Sequence, residues 1–309
     1  TGDKENQVNL RGNFLGDKII LKMKNVKDKP DIKKIASIKL VNSNIFSELI
    51  ITNYQTEKKF GGNFLVKNER NRATAIFDYN EGILSVKKAN LTNAFFEGKV
   101  DGLIKFSPFF DFDLTMDLNS FNFNKLYNFL NASDESFKKN LFKVNKKLNG
   151  KLKFSADKIF SKYTFIESWE SKIKFVNGNI IFEKLLLDLG KLGAIDVIGS
   201  IQNDSKYSTL KFEKNLFIDN LRRFYNKFGV YNKEKEPLHV FVSGNFDLIN
   251  LKLSLHEVFD GDKLNREDID YIEREFNSIL SEDGYVTLLS FKKFKEFVKS
   301  ITVDTGQSN

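Results

Sequence analysis

Three carboxylates stand on one face of the segment FFDFDLTMDL (109–118): Asp111, Asp113 and Asp117. Strand side chains at i and i+2 sit about 7 Å apart on the same side, a spacing that suits a cation or a glycosidase-like carboxylate pair. No histidine or tryptophan accompanies them, so the solvated face of a strand is the simpler reading. The acidic run DGDKLNREDID (260–270) opens like a calcium loop, but Asn265 stands where the loop requires glycine. Aligning the loop on Gly284 instead puts Ile279 at its first position and Ser290 at its twelfth, which also fails. The two histidines, His239 and His256, each stand alone, and the chain has no cysteine. These facts exclude thiol catalysis, Cys-ligated zinc and disulfides, and leave almost nothing for a histidine triad. No Gly-rich phosphate loop, G-x-S-x-G or H-E-x-x-H occurs. The expectation is a non-enzymatic chain with no catalytic residue, no metal and no cofactor.

Charge offers a second chemistry. Lys+Arg is 49 against 41 Asp+Glu, a net charge of +8 in 309 residues. Lys, Asn, Ile, Phe and Tyr dominate together, as AT-rich coding produces, so the basicity says little about partners. Basic and aromatic residues interleave at Arg222, Arg223, Phe224, Tyr225 and Lys227, and in FKKFKEFVK (291–299). In both, the aromatics fall on the apolar stripe of a helix and the basic groups on its solvated side. No nucleic-acid partner is expected; the helix at 290–301 could instead lie on an anionic membrane surface. No run approaches 18 apolar residues, so no helix crosses a membrane. The chain begins at Thr1, and reads as processed or as an excerpt.

The remaining constellation is apolar. Thirty-two phenylalanines exceed what a compact core of this length ordinarily needs, and alternation shows where they point. Phe110, Phe112, Leu114, Met116 and Leu118 share one face of their strand. So do Phe96, Val100 and Ile104 in 94–106; Leu152, Phe154 and Ala156 in 150–156; and Phe175, Ile180 and Phe182 in 173–182. Leu185, Leu187 and Leu189 in 185–189, and Val242 and Phe246 in 240–246, follow the same rule. Weaker strands fit 6–14, 18–25, 35–41, 45–52, 58–66, 72–79, 83–91, 194–201, 207–213 and 250–258. One apolar and one polar face mark an antiparallel meander. Amphipathic helices fit 121–131, 217–228 (with Asp219 in its first turn), 265–280 (with Asn265 as N-cap) and 290–301. The tail 302–309 reads as disordered.

A short repeat, apolar-x-Gly-x-apolar, recurs at 10–14, 60–64, 96–100, 100–104, 148–152, 176–180, 197–201 and 242–246. Glycine inside a strand marks a bend, a bulge or a close approach, so the repeat describes a sheet that curls in one sense. At VNGNI (176–180) the alternative is an Asn-Gly hairpin turn. The apolar face has two readings. It is a sleeve for acyl chains, each buried CH₂ contributing about 0.8 kcal/mol, or it is a core covered by another sheet or by the helices. Periodicity alone ranks the core first.

The stretches LNGKLKFSADKI (148–159) and SKIKFVNGNIIFEKLLLDLGKLGAIDVIGSI (171–201) resemble the C-terminal region of the AsmA family of bacterial envelope proteins. The family pattern falls on Gly150, Leu152, Phe154 and Ala156, then Asn177, Gly178 and Ile180, then Leu185, Leu187, Leu189 and Gly190, and finally Gly199 and Ile201. The likeness covers about 83–260; a Gly-Gly frequent in the family reads Gly190-Lys191-Leu192-Gly193 here. The resemblance implies a mainly β fold: an elongated, curled antiparallel sheet forming a taco-like β-groove, with a few amphipathic helices and a C-terminal helical cap. With the polar, charged stretch 133–147 as a linker, the chain divides into a β segment 1–132, that linker, an AsmA-like region 148–260, a helical cap 261–301 and a tail 302–309. The resemblance further implies a periplasmic protein tethered to the inner membrane by an N-terminal anchor outside this chain. Its partners would be phospholipids or other acyl lipids, and another envelope protein, in lipid transport toward the outer membrane. The lining residues it suggests are Phe96, Val100, Ile104, Phe110, Phe112, Leu114, Met116, Leu152, Phe154, Phe175, Ile180, Phe182, Leu185, Leu187, Val242 and Phe246. The alternatives are an assembly factor for outer-membrane proteins, with a protein-filled core, and a secreted β-sandwich hydrolase.

Overall fold

The computed structural model describes all residues except 1–6, 15–16, 27–31, 57, 70, 107–109, 135–136, 138–139, 141, 163–164, 205–206, 284–289 and 304–309. The chain is mainly β, with 59% of its residues in strands, as the alternation requires. It divides into two units, Thr1–Phe121 and Asn122–Asn309.

The first unit is a meander. Its strands are β1 (Gln7–Phe14), β2 (Asp17–Asn25), β3 (Lys34–Leu40), β4 (Ile45–Thr56), β5 (Lys59–Asn68), β6 (Asn71–Asn80), β7 (Ile83–Thr92), β8 (Phe96–Lys105) and β9 (Asp111–Asn122). Each pairs antiparallel with the next. Cross-strand partners share a face, so the registers line the apolar residues into files. One file runs Met23, Ala36, Leu49, Phe64 and Ala75; Ala89, Val100 and Met116 continue it beyond a bulge. The next runs Ile51, Gly62, Phe77, Val86, Gly102 and Leu114. Ala75, Val86, Ala89 and Val100 form a buried cluster, with Phe64, Leu84, Leu91, Ile104, Leu114 and Met116 packed around it.

The repeat glycines fall in these files, beside large side chains. Gly62 is paired with Phe77, and Gly102 with Leu114. At Gly102, with φ +146°, a Cβ would collide with the carbonyl of Asp113 on the neighbouring strand. Register shifts occur near several of these positions, at Ile51/Asn53, Glu97/Gly98 and Ser243/Gly244. Each such bulge bends and twists its strand locally. The segment 176–180 takes the other course. Asn177 (φ 51°) and Gly178 (φ +87°) are both left-handed, and they turn a tight hairpin.

The second unit carries β10 (Gly150–Ala156), the short β11 (Ile159–Phe160), β12 (Ser168–Val176), β13 (Asn179–Asp188), β14 (Gly193–Asn203), β15 (Ser208–Ile218), β16 (Leu238–Asp247) and β17 (Lys252–Phe259). The expected strands 173–182 and 185–189 are thus regrouped around the hairpin. β10 pairs with β12, and β12 to β17 pair in succession, all antiparallel.

Four helices complete the unit's described residues: α1 (Phe123–Ala132), α2 (Leu221–Phe228), α3 (Arg266–Asp283) and α4 (Phe291–Val303). An asparagine side chain caps three of them. Asn122 accepts from Lys125 N, Asn220 from Arg223 N and Asn265 from Asp268 N, each at 3.0 Å. Asp219 therefore precedes the cap of α2 rather than standing in its first turn, because β15 runs on to Ile218. α1 groups with the second unit, not with the strands before it, and its Asn124 accepts from Lys162 N at 2.9 Å. The stretch 133–147, expected as a linker, is partly held. Phe142 and Val144 pack against the sheet, and the Phe142 carbonyl accepts from Asn203 Nδ2 at 2.9 Å. α4 extends to Val303; the remainder of the expected tail, and Gly284, lie outside the described residues.

Candidate functional site: the apolar face of each unit

The registers place the sixteen candidate residues on the apolar faces, with one partial exception. Phe96, Val100, Ile104, Phe112, Leu114 and Met116 line the apolar face of the first unit. Phe110 stands just ahead of β9, its ring 6.3 Å from that of Phe112. Among the described residues this unit contains no helix. Its apolar face is uncovered at the N-terminal end: Val8, Leu10, Met23 and Ile38, which share that face, are 50, 55, 39 and 37% exposed. Among the described residues one cation lies on this face, Lys34, opposite Ile51; its ammonium sits 4.0 Å from the centre of the Tyr54 ring.

In the second unit the cross-strand files are equally regular. One runs Phe175, Ile180, Ile201, Leu210, Phe246 and Leu253. The next runs Leu152, Ile173, Phe182, Gly199, Phe212, Gly244 and Leu255. Phenylalanine and glycine alternate here, and a Cβ on Gly244 would stand 3.2 Å from the Phe212 ring. The aromatic rings occupy the room that the glycines leave.

These two files are covered. Ile269 and Leu280 of α3 are buried against Ile180, Ile201, Phe246, Leu253 and Leu255, with Phe175, Phe182, Val242, Ile272 and Phe276 packed around them. α3 also hydrogen-bonds to β17. Asn277 Oδ1 accepts from Leu253 N at 2.7 Å and its Nδ2 donates to Leu253 O at 3.0 Å. Glu273 accepts from Leu255 N at 2.6 Å, and Arg266 donates to Leu255 O at 3.1 Å. At the other end of the strands, Ile218, Leu221, Phe224, Phe228 and Val298 form a second core, with Phe291, Phe294 and Phe297 of α4 against it. The aromatic stripe of 290–301 is thus internal, as the amphipathic pattern requires.

Between the two cores lies a middle stretch. Its files are Phe154, Ser171, Leu185, Val197, Lys214, Val242 and Val258, and then Ala156, Trp169, Leu187, Ile195, Leu216 and Val240; their far ends join the cores, Val240, Val242 and Val258 the first and Leu216 the second. Leu152, Phe154, Leu185, Leu187, Ile195 and Val197 are half-buried and belong to neither core. The rings of Phe154 and Trp169 stand 4.8 Å apart. Two polar groups interrupt this stretch. Ser171 is buried, and among the described residues its hydroxyl has no hydrogen-bond partner. Lys214 pairs across to Val197 and Val242. Among the described residues no carboxylate or carbonyl partners it, and burial alone pushes its pKa down. It is the only Asp, Glu, Lys, Arg or His that the registers place on this face of β10 and β12 to β17; Glu183 and His256 sit in bulges and are exposed.

Lys214 and Trp169 were not among the sequence candidates. The expected strand 207–213 stopped one residue short of Lys214. Continued alternation through Leu210, Phe212, Leu216 and Ile218 is the signal that would have exposed it as the one charge in an apolar series.

The polar candidates for chemistry disperse. Asp111, Asp113 and Asp117 are exposed on the polar face, opposite Lys105, Leu103 and Lys99. The run at 260–270 contains the N-cap of α3, Asn265, in place of a calcium loop's glycine. His239 stacks on Phe217 with ring centres 4.6 Å apart, and its Nε2 lies 2.9 Å from Asn215 Oδ1. Among the described residues no three His, Cys, Asp or Glu side chains cluster as metal ligands, and no helix is long and apolar enough to cross a membrane. A shallow depression of about 450 Å³ lies mainly on the polar face of β4 to β7, lined by both polar and apolar groups, Glu48, Ile50, Asn63 and Lys88 among them. No family model, curated protein or solved structure matches the chain.

Proposed function

We propose that the protein binds and conducts the acyl chains of phospholipids along its apolar sheet faces, as a non-enzymatic, AsmA-like component of the bacterial envelope. The observation that carries this reading is the apolar face of the first unit. File after file of Phe, Leu, Ile, Val and Ala crosses β1 to β9, no helix of that unit lies over it, and its N-terminal end is open to solvent. Apolar surface on this scale is costly in water unless something covers it. Hydrocarbon can cover it without specific polar contacts. The chain would work in the periplasm, between the inner and outer membranes.

A second reading has its own observation. In the second unit α3 and α4 fill two parts of the corresponding face, which is what an assembly factor with a protein-filled core would show. The two readings separate on extraction of the purified chain. The lipid reading expects co-purified phospholipid by mass spectrometry, and its loss in Phe112→Asp, with circular dichroism unchanged. A folded wild-type chain free of lipid favours the assembly factor.

A further inference from the structure

The middle stretch of the second unit's apolar face has a chemical peculiarity: a single cation within a field of hydrocarbon. A lysine in such a place loses hydration that no acceptor among the described residues replaces, and burial lowers its pKa. Lys34, the lysine on the other unit's apolar face, has the Tyr54 ring to meet it; among the described residues Lys214 has no such partner. Among the described residues, the neighbouring α3 brings one carboxylate to this face, Glu273. That group is already engaged by Leu255 N–H, at 2.6 Å, and by Arg266, at 3.4 Å.

We propose that Lys214 is an anchor for the carboxylate of a fatty acid whose hydrocarbon lies over Leu185, Leu187, Val197 and Phe154. Charge complementarity selects an anion, and the surrounding residues select its tail. The headgroup follows from the donor count. Lys214 offers three N–H donors; the next polar side chain in its file, Ser171, is three strands away, about 14 Å at ordinary strand spacing. A carboxylate has two oxygens and one charge, which one ammonium can satisfy. A glycerophosphate with its ester carbonyls would leave several acceptors unpaired in a half-buried site. The inference rests on the acyl-binding reading and adds a headgroup class to it.

The test uses the full chain with three probes: oleic acid, oleyl alcohol and dioleoyl phosphatidylglycerol. Wild type should bind oleic acid more tightly than oleyl alcohol. Lys214→Met should weaken oleic acid by about tenfold or more, the effect of losing a charge-assisted hydrogen bond, while oleyl alcohol binding is unchanged. Lys214→Arg should keep most of the oleic acid affinity. An unchanged oleic acid affinity in a folded Lys214→Met variant overturns the anchor and leaves acyl binding standing. Dependence on Lys214 for phosphatidylglycerol but not oleic acid overturns the choice of carboxylate. A wild-type chain that binds none of the three overturns both the anchor and the acyl reading.

Discussion

Lys214 occupies a strand position where alternation asks for an apolar side chain. The folded chain holds its pKa below the ordinary lysine value of about 10.4, so the unfolded chain binds more protons in the interval between the two. Stability therefore rises with pH across that interval. The penalty is fully present at pH 7 if the folded pKa lies above it, and vanishes above the ordinary value. Lys214→Met should stabilise the ligand-free protein near neutral pH by about 1–3 kcal/mol, the range for an unpartnered polar group. The gain should shrink as denaturation is repeated toward pH 10. A constant gain at all pH values would show that packing, not charge, is responsible. A second residue-scale test concerns the repeat. Gly102→Ala places a Cβ against Asp113 O at φ +146°, whereas among the described residues a Cβ at Gly12 meets only Ile19 Cγ2, at 3.6 Å. Gly102→Ala should cost about 1–3 kcal/mol in urea denaturation, and Gly12→Ala close to nothing. The repeat was legible in sequence, but which of its glycines lack room was not. That depends on the backbone of a strand elsewhere in the chain.

At the scale of elements, alternation located the strands well because each has one polar face, and Asn265 marked the start of α3; the caps Asn122 and Asn220 were not recognised, and the expected starts at 121 and 217 fall in the preceding strands. Alternation erred where two strands meet at a two-residue turn: it changes parity between Phe175 and Ile180, which share a face as cross-strand partners on either side of Asn177-Gly178. The partner of each helix was also hidden. An amphipathic stripe at 265–280 states that one side is buried, not against what. The hydrogen bonds from Asn277 and Glu273 to β17 fix it on the face that the sequence offered as groove lining. Asn277→Ala leaves the Leu253 N–H and carbonyl without that partner, and should destabilise by about 1–3 kcal/mol, read as a lower Tm. Ending the chain at residue 260 removes the cover from Ile180, Ile201 and Phe246. That truncation should bind a hydrophobic dye strongly or aggregate; a well-behaved monomer that ignores the dye would mean α3 is dispensable to this core.

For the molecule as a whole, two units present apolar faces in different states: open at β1 to β3 in the first, partly filled by helices in the second. The thirty-two phenylalanines divide accordingly. Phe276, Phe291, Phe294 and Phe297 serve helix packing, while Phe64, Phe112 and Phe154 lie on sheet faces away from it. Composition could not make this division, because it follows from which helix lies over which file. The central claim, that lipid occupies the apolar faces, is tested most directly by photo-crosslinking in cells. A benzoyl-phenylalanine probe would be placed at Phe112, Leu114 or Leu187 on the apolar faces, and at Asp113 or Asp117 on the polar face. The account predicts lipid adducts at the first three positions and none at the last two. Equal lipid labelling of both faces, or protein adducts alone at Phe112 and Leu114, would contradict it.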